Sequence, residues 1–501
     1  MYRNAAEVWA HLEGQRSGLL RKIERYAALT IPKVCYPEGY NNNASDDSHD
    51  YQSIGAQGTN HLSNKLMLAM FAPSRPFAKL LPGAKAKAQA AQMKLSPVQL
   101  QDILANGERE AIKELDRRGQ RPKLFQLMRH LIVAGNALLI LSKTGMRVMG
   151  IKKYVVRRNL EGEVLHICIK EDVRFDEIDT DIRKLLSTRF HDDTTVSFYK
   201  WIKREDNNSF TMTQWVNEIQ LPNEYNGRWP EDRCPYQAIT WDLDDAHDYG
   251  TGLVEEYAGD FEALSVLSES VVDGAVQGTE YRWMVNPTGM TSIEELNASQ
   301  NGDALAGTPE DVRPTQGGNP QAIETANAVL DKYEKRISRG FLMGSSIIRD
   351  AERVTQEEVR LTAQELETSY GGVYSTLAAS VQKPVARWLF DAVNLNLQGA
   401  DLDVTIVTGL DALSRNGDLE NFRAAMGDMA SMASVPSGLV PRIKYEEVGR
   451  FIGQGRNIDL SQFFLTDAEA QAQQEQAQAS QVAQEVATTA GNAAVTPQQG
   501  Q

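Results

Sequence analysis

The stretch LVEEYAGDFEALSVLSESVVDGAVQGTEYRW (residues 253–283) contains few helix-breaking residues and predicts one long helix. An insert rich in Gly and Pro follows, NPTGMTSIEELNASQNGDALAGTPEDVRPTQGGNP (residues 286–320), and residues 321–343 return to a helical pattern. One apolar seam runs along this second helix through Ile323, Ala326, Leu330, Tyr333, Ile337 and Phe341. Two long helices separated by a small insert predict an antiparallel hairpin that carries the insert at its tip.

The residues that precede the hairpin change from a helical period to a strand period along the chain. Apolar stripes at helical spacing predict helices at residues 5–29, 53–71, 96–118 and 122–141. Alternating patterns predict two β-hairpins and a further β segment, YVVRRNLEGEVLHICIKEDVRF (154–175), VSFYKWIKREDNNSFTMTQWVNEI (196–219) and CPYQAITWDL (234–243). This order predicts a mixed α+β fold in which helices cover an antiparallel sheet.

The residues that follow the hairpin predict a loop, a long helix, a strand and a helical end. The polar loop is GSSIIRDAERV (344–354), and the helix after it is expected to bend at Pro384 without ending there. DLDVTIVTG (401–409) predicts a short strand that joins the earlier sheet. We predict a helical segment at 410–465 and a partly disordered, Gln/Ala-rich tail at 466–501.

The composition excludes several classes of protein. The chain has 501 residues and a formal net charge of −15, and Cys35, Cys168 and Cys234 lie at no metal-ligand spacing. An odd number of cysteines argues against a disulfide framework. No stretch approaches the roughly 18 consecutive apolar residues of a membrane span. The first residues include an acidic side chain and no apolar signal core, so we expect folding in a cytoplasm.

The acidic charge leaves two relations to nucleic acid open. A protein that grips DNA usually carries a basic face, because neutralising phosphates supplies much of the affinity. An acidic chain could still surround DNA that has to slide past it. Charge alone therefore does not distinguish a protein that never meets DNA from one that must not hold it.

The sequence contains no catalytic or metal-binding motif. It has no GxxxxGK[ST] phosphate loop, no GxSxG elbow and no HExxH pair. The triplets Gly250-Thr251-Gly252 and Gly453-Gln454-Gly455 are isolated, and an isolated GxG is a weak sign of nucleotide binding. One acidic cluster consists of Asp242, Asp244, Asp245 and Asp248. Its spacing lacks the EF-hand glycine and terminal glutamate, which favours a solvated loop over a cation site. We predict no catalytic residue, no metal site and no cofactor.

Several stretches together look like motifs of one phage family. They are SIGAQGTNHLSNKLMLAMFAPS (53–74), LIVAGNALLIL (131–141), YVVRRNLEGEVLHICIKEDVRF (154–175), YGTGLVEEYAGDF (249–261), RVTQEEVR (353–360) and LETSYGGVYSTLA (366–378). Each is modest alone. Their shared order and spacing, from about residue 5 to about residue 410, resembles the head-to-tail connector (portal) family of podoviruses, the short-tailed double-stranded DNA phages.

The resemblance implies a portal fold with an α/β wing, a stem made of a long-helix hairpin, a small clip insert and a helical C-terminal crown. The wing would comprise residues 1–252 and 402–409, the stem helices 253–283 and 321–343, and the clip 284–320. The remaining segments would be a channel (tunnel) loop at 344–354, a long helix of the wing at 355–397, the crown at 410–465 and the tail at 466–501.

The resemblance also implies a structural function and a set of partners. The chain would form a dodecameric ring at one capsid vertex, through which double-stranded DNA passes non-specifically during packaging and ejection. The implied partners are the terminase large subunit, the tail adaptor and tail tube proteins, and the major capsid and scaffolding proteins. The protein would be part of the virion, assembled in the bacterial cytoplasm without membrane insertion, and would not be an enzyme.

Two sets of cations are the candidate site residues. Arg349 and Arg353, on the loop 344–354, are candidates for contact with DNA phosphates in the channel. Alternatively, they pair with neighbouring carboxylates (Asp350, Glu352 or Glu357) and only fix the loop. The charged face of the second stem helix carries Lys332, Lys335, Arg336 and Arg339, together with Asp331 and Glu334. A closed ring needs two different faces of neighbouring subunits to meet, and a helix with one apolar seam and a charged reverse face suits that arrangement.

Two other functions remain open at this point. One is an acidic cytoplasmic enzyme or nuclease whose site a single sequence does not reveal. The other is a different structural protein of the virion, either an internal or a tail component. A ring of about a dozen subunits with an axial hole would favour the portal interpretation over both.

Overall fold

The computed structural model describes residues 2–37, 39–40, 51–72, 77–93, 97–187, 189–316, 320–344, 356–393, 402–406 and 427. The chain divides into two compact units, Met1–Gly409 and Leu410–Gln501, and Gly427 is the one described residue of the second unit. The predictions for residues 410–465 and 466–501 therefore fall, apart from Gly427, outside the described residues. In the described part of the chain, no helix is long and apolar enough to cross a membrane.

The N-terminal helices differ from the sequence prediction at Arg16. The helices before the hairpin are α1 (Ala5–Gln15), α2 (Ser17–Leu29), α3 (Ile54–Met70), α4 (Ala84–Gln92), α5 (Pro97–Arg117), α6 (Arg121–Ala134) and α7 (Thr180–Leu186). The prediction of one helix over residues 5–29 is wrong, because α1 and α2 are separated at Arg16. The Arg16 side chain is buried, and its guanidinium donates hydrogen bonds to the carbonyls of Ile151 and Tyr154. These distant carbonyls hold the break in place.

The strands of this region form two antiparallel sheets and one strand that pairs further along the chain. They are β1 (Ala78–Pro82), β2 (Asn136–Leu141), β3 (Met146–Met149), β4 (Tyr154–Arg158), β5 (Val164–Arg174), β6 (Thr195–Glu205), β7 (Ser209–Val216), β8 (Ile219–Gln220), β9 (Gly227–Pro230) and β10 (Tyr236–Thr240). The larger sheet has the order β4-β5-β6-β7-β8, with β9 beside β7. The predicted hairpins 154–175 and 196–219 are confirmed as β4-β5 and β6-β7. The third predicted segment, β10, lies in the separate sheet β10-β2-β3.

The predicted helix 122–141 is wrong in its second half, since α6 ends at Ala134 and β2 follows. Gly135 ends the helix in the left-handed conformation, with φ +68°. A Cβ atom on Gly135 would lie 2.4 Å from the carbonyl carbon of Thr251. The side chain of Asn136 fixes the same crossing, because its Nδ2 donates to the Gly250 carbonyl at 2.6 Å. The triplet Gly250-Thr251-Gly252 thus lies where two backbone segments pass close to each other, at the end of α6 and just before residue 253.

The hairpin itself consists of α8 (Leu253–Thr279), β11 (Tyr281–Val285), α9 (Ile293–Ala298), β12 (Val312–Gln316) and α10 (Pro320–Gly340). The first predicted helix, 253–283, is too long, because residues 281–283 belong to β11. Tyr and Trp favour strands, and β11 pairs with β12 so that Trp283 lies opposite Pro314. The second predicted helix, 321–343, likewise ends earlier, at Gly340.

The segment after the hairpin contains α11 (Gln356–Leu377), a π-helical turn (Ala378–Gln382), α12 (Lys383–Ala392) and β13 (Leu402–Ile406). The predicted continuous helix 355–397 is interrupted, because Tyr370 has the non-helical dihedrals φ −132° and ψ 32°. The prediction that β13 joins the earlier sheet is wrong. β13 pairs with β1, and the buried side chains of Val404 and Leu80 lie opposite each other in that pair.

Candidate functional site

Helices α8 and α10 pack against each other in antiparallel orientation. Near the insert, Ile323 of α10 lies beside Gly274 of α8. Further from the insert, the guanidinium of Arg336 lies 3.1 Å from the carboxylate of Asp260. At the base of the hairpin, the ring of Phe341 contacts the rings of Tyr257 and Phe261, with centroid distances of 5.6 and 5.7 Å. The apolar seam of α10 therefore faces α8 and the body of the fold.

The candidate cations of α10 lie together along one open groove of about 670 Å³. The groove is lined by Lys332, Lys335, Arg336 and Arg339, with Tyr257, Gly340, Leu342, Ser369 and Tyr370 completing its walls. The four cationic side chains are exposed. Among the described residues, Arg336 is the one cation of this set with an ion pair, to Asp260, and its guanidinium also lies 4.9 Å from the centroid of the Tyr333 ring. Lys332, Lys335 and Arg339 form no ion pair within the described ranges of the chain, and charged donors of this kind bind anionic groups.

A second groove of about 590 Å³ adjoins the first and is acidic. Tyr257 and Tyr370 line both grooves, and Asp242 and Glu256 line the second one. Burial, and to a smaller extent the charge of Asp242, raises the pKa of Glu256. Tyr370 is also the residue at which α11 bends, and its hydroxyl donates to the carbonyl of Gly340 at the end of α10. This hydrogen bond connects α11, at its bend, to the base of the hairpin.

A buried lysine holds the end of α10 in place. Lys65, on α3, has no exposed side-chain surface, and its Nζ donates to the carbonyl of Leu342 and to Glu365 Oε2, each at 2.8 Å. His61, one turn earlier on α3, donates from Nε2 to the same carbonyl at 3.0 Å. Leu342 has φ +55°, which is strained for a leucine. Burial, followed by the charge of Lys65, lowers the pKa of His61.

Sequence reasoning did not single out Lys65 or His61. Both lie in the stretch 53–74, and Lys65 is three residues from Leu62 and one from Leu66, which are buried. A lysine within the apolar stripe of a helix was the available signal, because a buried charge requires a partner. The partner, Glu365 on α11, lies 300 residues further along the chain and is not marked by any local pattern.

The other candidates from the sequence fall into two groups. Arg349 and Arg353 lie outside the described residues, so their role stays a prediction. Within the acidic cluster, Asp248 pairs with Arg157 at 2.9 Å and accepts the main-chain N–H of Arg158 at 2.7 Å, which anchors β4. Where the structure describes the chain, no three His, Cys, Asp or Glu side chains are close enough to hold a metal ion.

The three cysteines are placed where a thiol is unreactive. Cys35, Cys168 and Cys234 are all free and buried. Burial raises the pKa of Cys35 to about 11 and the pKa of Cys234 to about 11. A thiol acts as a nucleophile only when it ionises, so these residues have the character of core side chains.

Known phage proteins are similar to this chain over nearly its whole length. The family described as "Bacteriophage head to tail connecting protein" matches residues 3–463. The portal protein of Enterobacteria phage SP6 is 29% identical over 497 residues, which cover 98% of this chain and 95% of that protein. The portal protein of Escherichia phage T7 is 31% identical over 494 residues (95% and 90%), and that of Pseudomonas phage phiKMV is 30% identical over 503 residues (97% and 97%).

Among solved structures, a chain from the neck of a native gene transfer agent particle is similar to this chain. The alignment covers 80% of this chain and 91% of the neck chain, with 14% identity and a TM-score of 0.35. A score this low supports no detailed comparison of the two folds. The sequence matches cover nearly the whole chain, and they show the family to which it belongs. The chain belongs to the bacteriophage head-to-tail connecting protein family.

Proposed function

We propose that copies of this chain assemble into a closed dodecameric ring at one vertex of a phage capsid, and that double-stranded DNA passes through the ring during packaging and ejection. The observation that carries the proposal is the similarity to portal proteins of phages SP6, T7 and phiKMV over at least 95% of the chain. The family is one of connecting proteins, and we propose no catalytic residue for this chain.

The architecture supports a division of labour along the chain. In this proposal, residues 1–252 and 402–409 form the wing, α8 and α10 the stem, and the insert between them the clip. Residues 344–354 would form the channel loop, the segment 355–397, which contains α11 and α12, a part of the wing, 410–465 the crown and 466–501 a tail. The position of β11, α9 and β12 between two long antiparallel helices is what a small clip at the end of a stem requires. A projecting knob of this kind can reach a partner without disturbing the body of the fold.

The charge of the chain suits passage of DNA without retention. The chain has 67 Asp and Glu residues against 52 Lys and Arg residues, so its formal net charge of −15 has the same sign as the DNA backbone. Repulsion between like charges keeps DNA from binding tightly, and only a few cations are needed to guide it. We propose Arg349 and Arg353 for that guiding role, on the segment between α10 and α11.

The proposed partners follow from a position between capsid and tail. Before the genome is packaged, the ring would dock the terminase large subunit, and afterwards the tail adaptor and tail tube proteins. Its wing and crown would face the major capsid and scaffolding proteins. The protein would then be a virion component that assembles in the bacterial cytoplasm.

A packaging experiment tests this function. Phage heads assembled in cells that lack this chain should contain no nuclease-resistant DNA, because the vertex has no conduit. Supplying the chain from a plasmid should restore protected DNA to the level of the parent phage. Heads that fill normally in the absence of the chain would contradict the proposal.

A further inference from the structure

α8 is acidic, whereas α10 carries four cations along one groove beside three acidic residues of its own, Glu324, Asp331 and Glu334. α8 contains no Lys or Arg, and its carboxylates are Glu255, Glu256, Asp260, Glu262, Glu269 and Asp273. Asp260 faces α10, where it pairs with Arg336. At 3.6 residues per turn, Glu269 lies on the opposite side of α8 from Asp260, and Asp273 lies near Glu269. Both are exposed, and neither has an ion pair with a residue that the structure describes.

The acidic side of α8 also carries an exposed apolar stripe. Val266, Val272 and Val276 are 62%, 49% and 55% exposed, and they share the side of Glu269 and Asp273. Apolar residues that are exposed together on one side of a helix are typical of a contact surface. We refer to these five residues as the valine–acid face.

The free side of α10 carries small side chains followed by cations. The contacts of Ile323 with Gly274 and of Arg336 with Asp260 align the two helices, so the exposed residues Thr325 and Ala328 of α10 lie at the level of the valines. Small side chains at that level leave room for another helix. Below them follow the cations Lys332, Lys335 and Arg339 on the same side. We refer to these five residues as the free face of α10.

We propose that the valine–acid face of α8 in one copy packs against the free face of α10 in the next copy of this chain. The proposal rests on the ring described under the proposed function and names the surfaces that would build it. Lys332 lies about four residues below the level of Glu269, or ~6 Å along the helix axis, which two extended side chains can span. The two faces lie on opposite sides of the hairpin, so each copy can use both at once, as a ring demands.

The same cations could instead contact DNA phosphates. That alternative accounts for the groove on α10, but it leaves the exposed valines and carboxylates of α8 without a partner, since carboxylates repel DNA. A second copy of the chain satisfies both faces with one contact. The neighbouring subunit is therefore the better match.

Charge exchange between the two faces tests this contact. One variant carries Lys332→Glu and Lys335→Glu, so that both faces are acidic, and the other carries Glu269→Lys and Asp273→Lys, so that both are basic. Like charges across an interface oppose association, and we expect the assembled fraction of each variant alone to fall at least about tenfold by native mass spectrometry. The two variants mixed in equal amounts should assemble again, alternating around the ring. A single chain with all four substitutions should also assemble.

A matched control separates this effect from a general change in charge. Lys85→Glu with Lys87→Glu makes the same charge change on exposed positions of α4, and this variant should assemble like the parent. If either two-site variant of the hairpin assembles alone as well as the parent, or if the mixture fails to assemble, the proposed contact is wrong. Rings from every variant, with loss of packaging in Lys332→Glu/Lys335→Glu, would assign the groove to DNA. In either case, a ring formed by the parent chain would still support the proposed function, because that function does not depend on which faces form the contact.

Discussion

Replacement of Gly135 with alanine should destabilise the protein by more than about 4 kcal/mol, because two penalties add at this position. The residue has φ +68°, which is unfavourable for alanine. Its Cβ would also lie 2.4 Å from the carbonyl carbon of Thr251 and 2.5 Å from the amide nitrogen of Gly252. These are main-chain atoms that no rotamer change can move. The free energy of unfolding would be measured by urea denaturation at one fixed subunit concentration, since assembly contributes to apparent stability.

Two companion variants separate these penalties. Gly119 has φ +60° and open space around its Cβ position, so Gly119→Ala isolates the conformational penalty, which should be about 1 kcal/mol. Gly252 has the ordinary dihedrals φ −100° and ψ 159°, so Gly252→Ala isolates the steric penalty, with a Cβ 2.7 Å from the nitrogen of Gly135. A loss for Gly135→Ala no larger than that for Gly119→Ala would show that the crossing of α6 and α8 is not tight.

Replacement of Lys65 with methionine should lower the free energy of unfolding by about 3 kcal/mol. Methionine fills much of the same space but cannot donate a hydrogen bond. The carboxylate of Glu365 then loses its ion pair with Lys65, and the carbonyl of Leu342 loses one donor while it keeps the bond from His61. Because these bonds hold the end of α10, hydrogen exchange of the amides at residues 340–344 should also become faster.

An exposed ion pair in the same region provides the comparison. Arg336 and Asp260 also form a salt bridge, but the Arg336 side chain is 59% exposed, and Arg336→Met should cost less than about 1 kcal/mol. A double-mutant cycle with Lys65→Met and Glu365→Gln would measure the coupling between the buried partners. If Lys65→Met costs no more than Arg336→Met, burial does not strengthen the pair, and Lys65 does not anchor α10.

The sequence predicted the elements whose pattern is local. The hairpins β4-β5 and β6-β7 follow from alternating residues on either side of polar turns, and α8 and α10 follow from long stretches with few breakers. In such segments each residue's neighbours in the chain determine its environment. A local pattern therefore suffices to define the element.

The errors arose where a distant part of the chain decides the local conformation. The apolar run that contains α6 and β2 fits a helix or a strand, and the crossing with Gly252 decides between them. The break at Arg16 depends on carbonyls about 135 residues further along the chain. The pairing of β13 with β1 depends on a five-residue strand that has no alternating pattern of its own.

In the candidate site too, some features follow from the local sequence and others depend on distant parts of the chain. The spacing of Lys332, Lys335 and Arg339 along one helix was enough to predict that they share a side, and the structure places them in one groove. The matching face of α8 and the anchoring role of Lys65 required knowledge of which helices pack together. Arg349 and Arg353 remain predictions that no described residue tests.

The central claim is that this chain builds a ring with an axial channel. Negative-stain imaging of the purified protein, combined with native mass spectrometry, tests it most directly. We expect round particles with a central hole and a mass twelve times that of the 55.6 kDa chain. Particles with the mass of a single chain, or open filaments without a hole, would contradict the account.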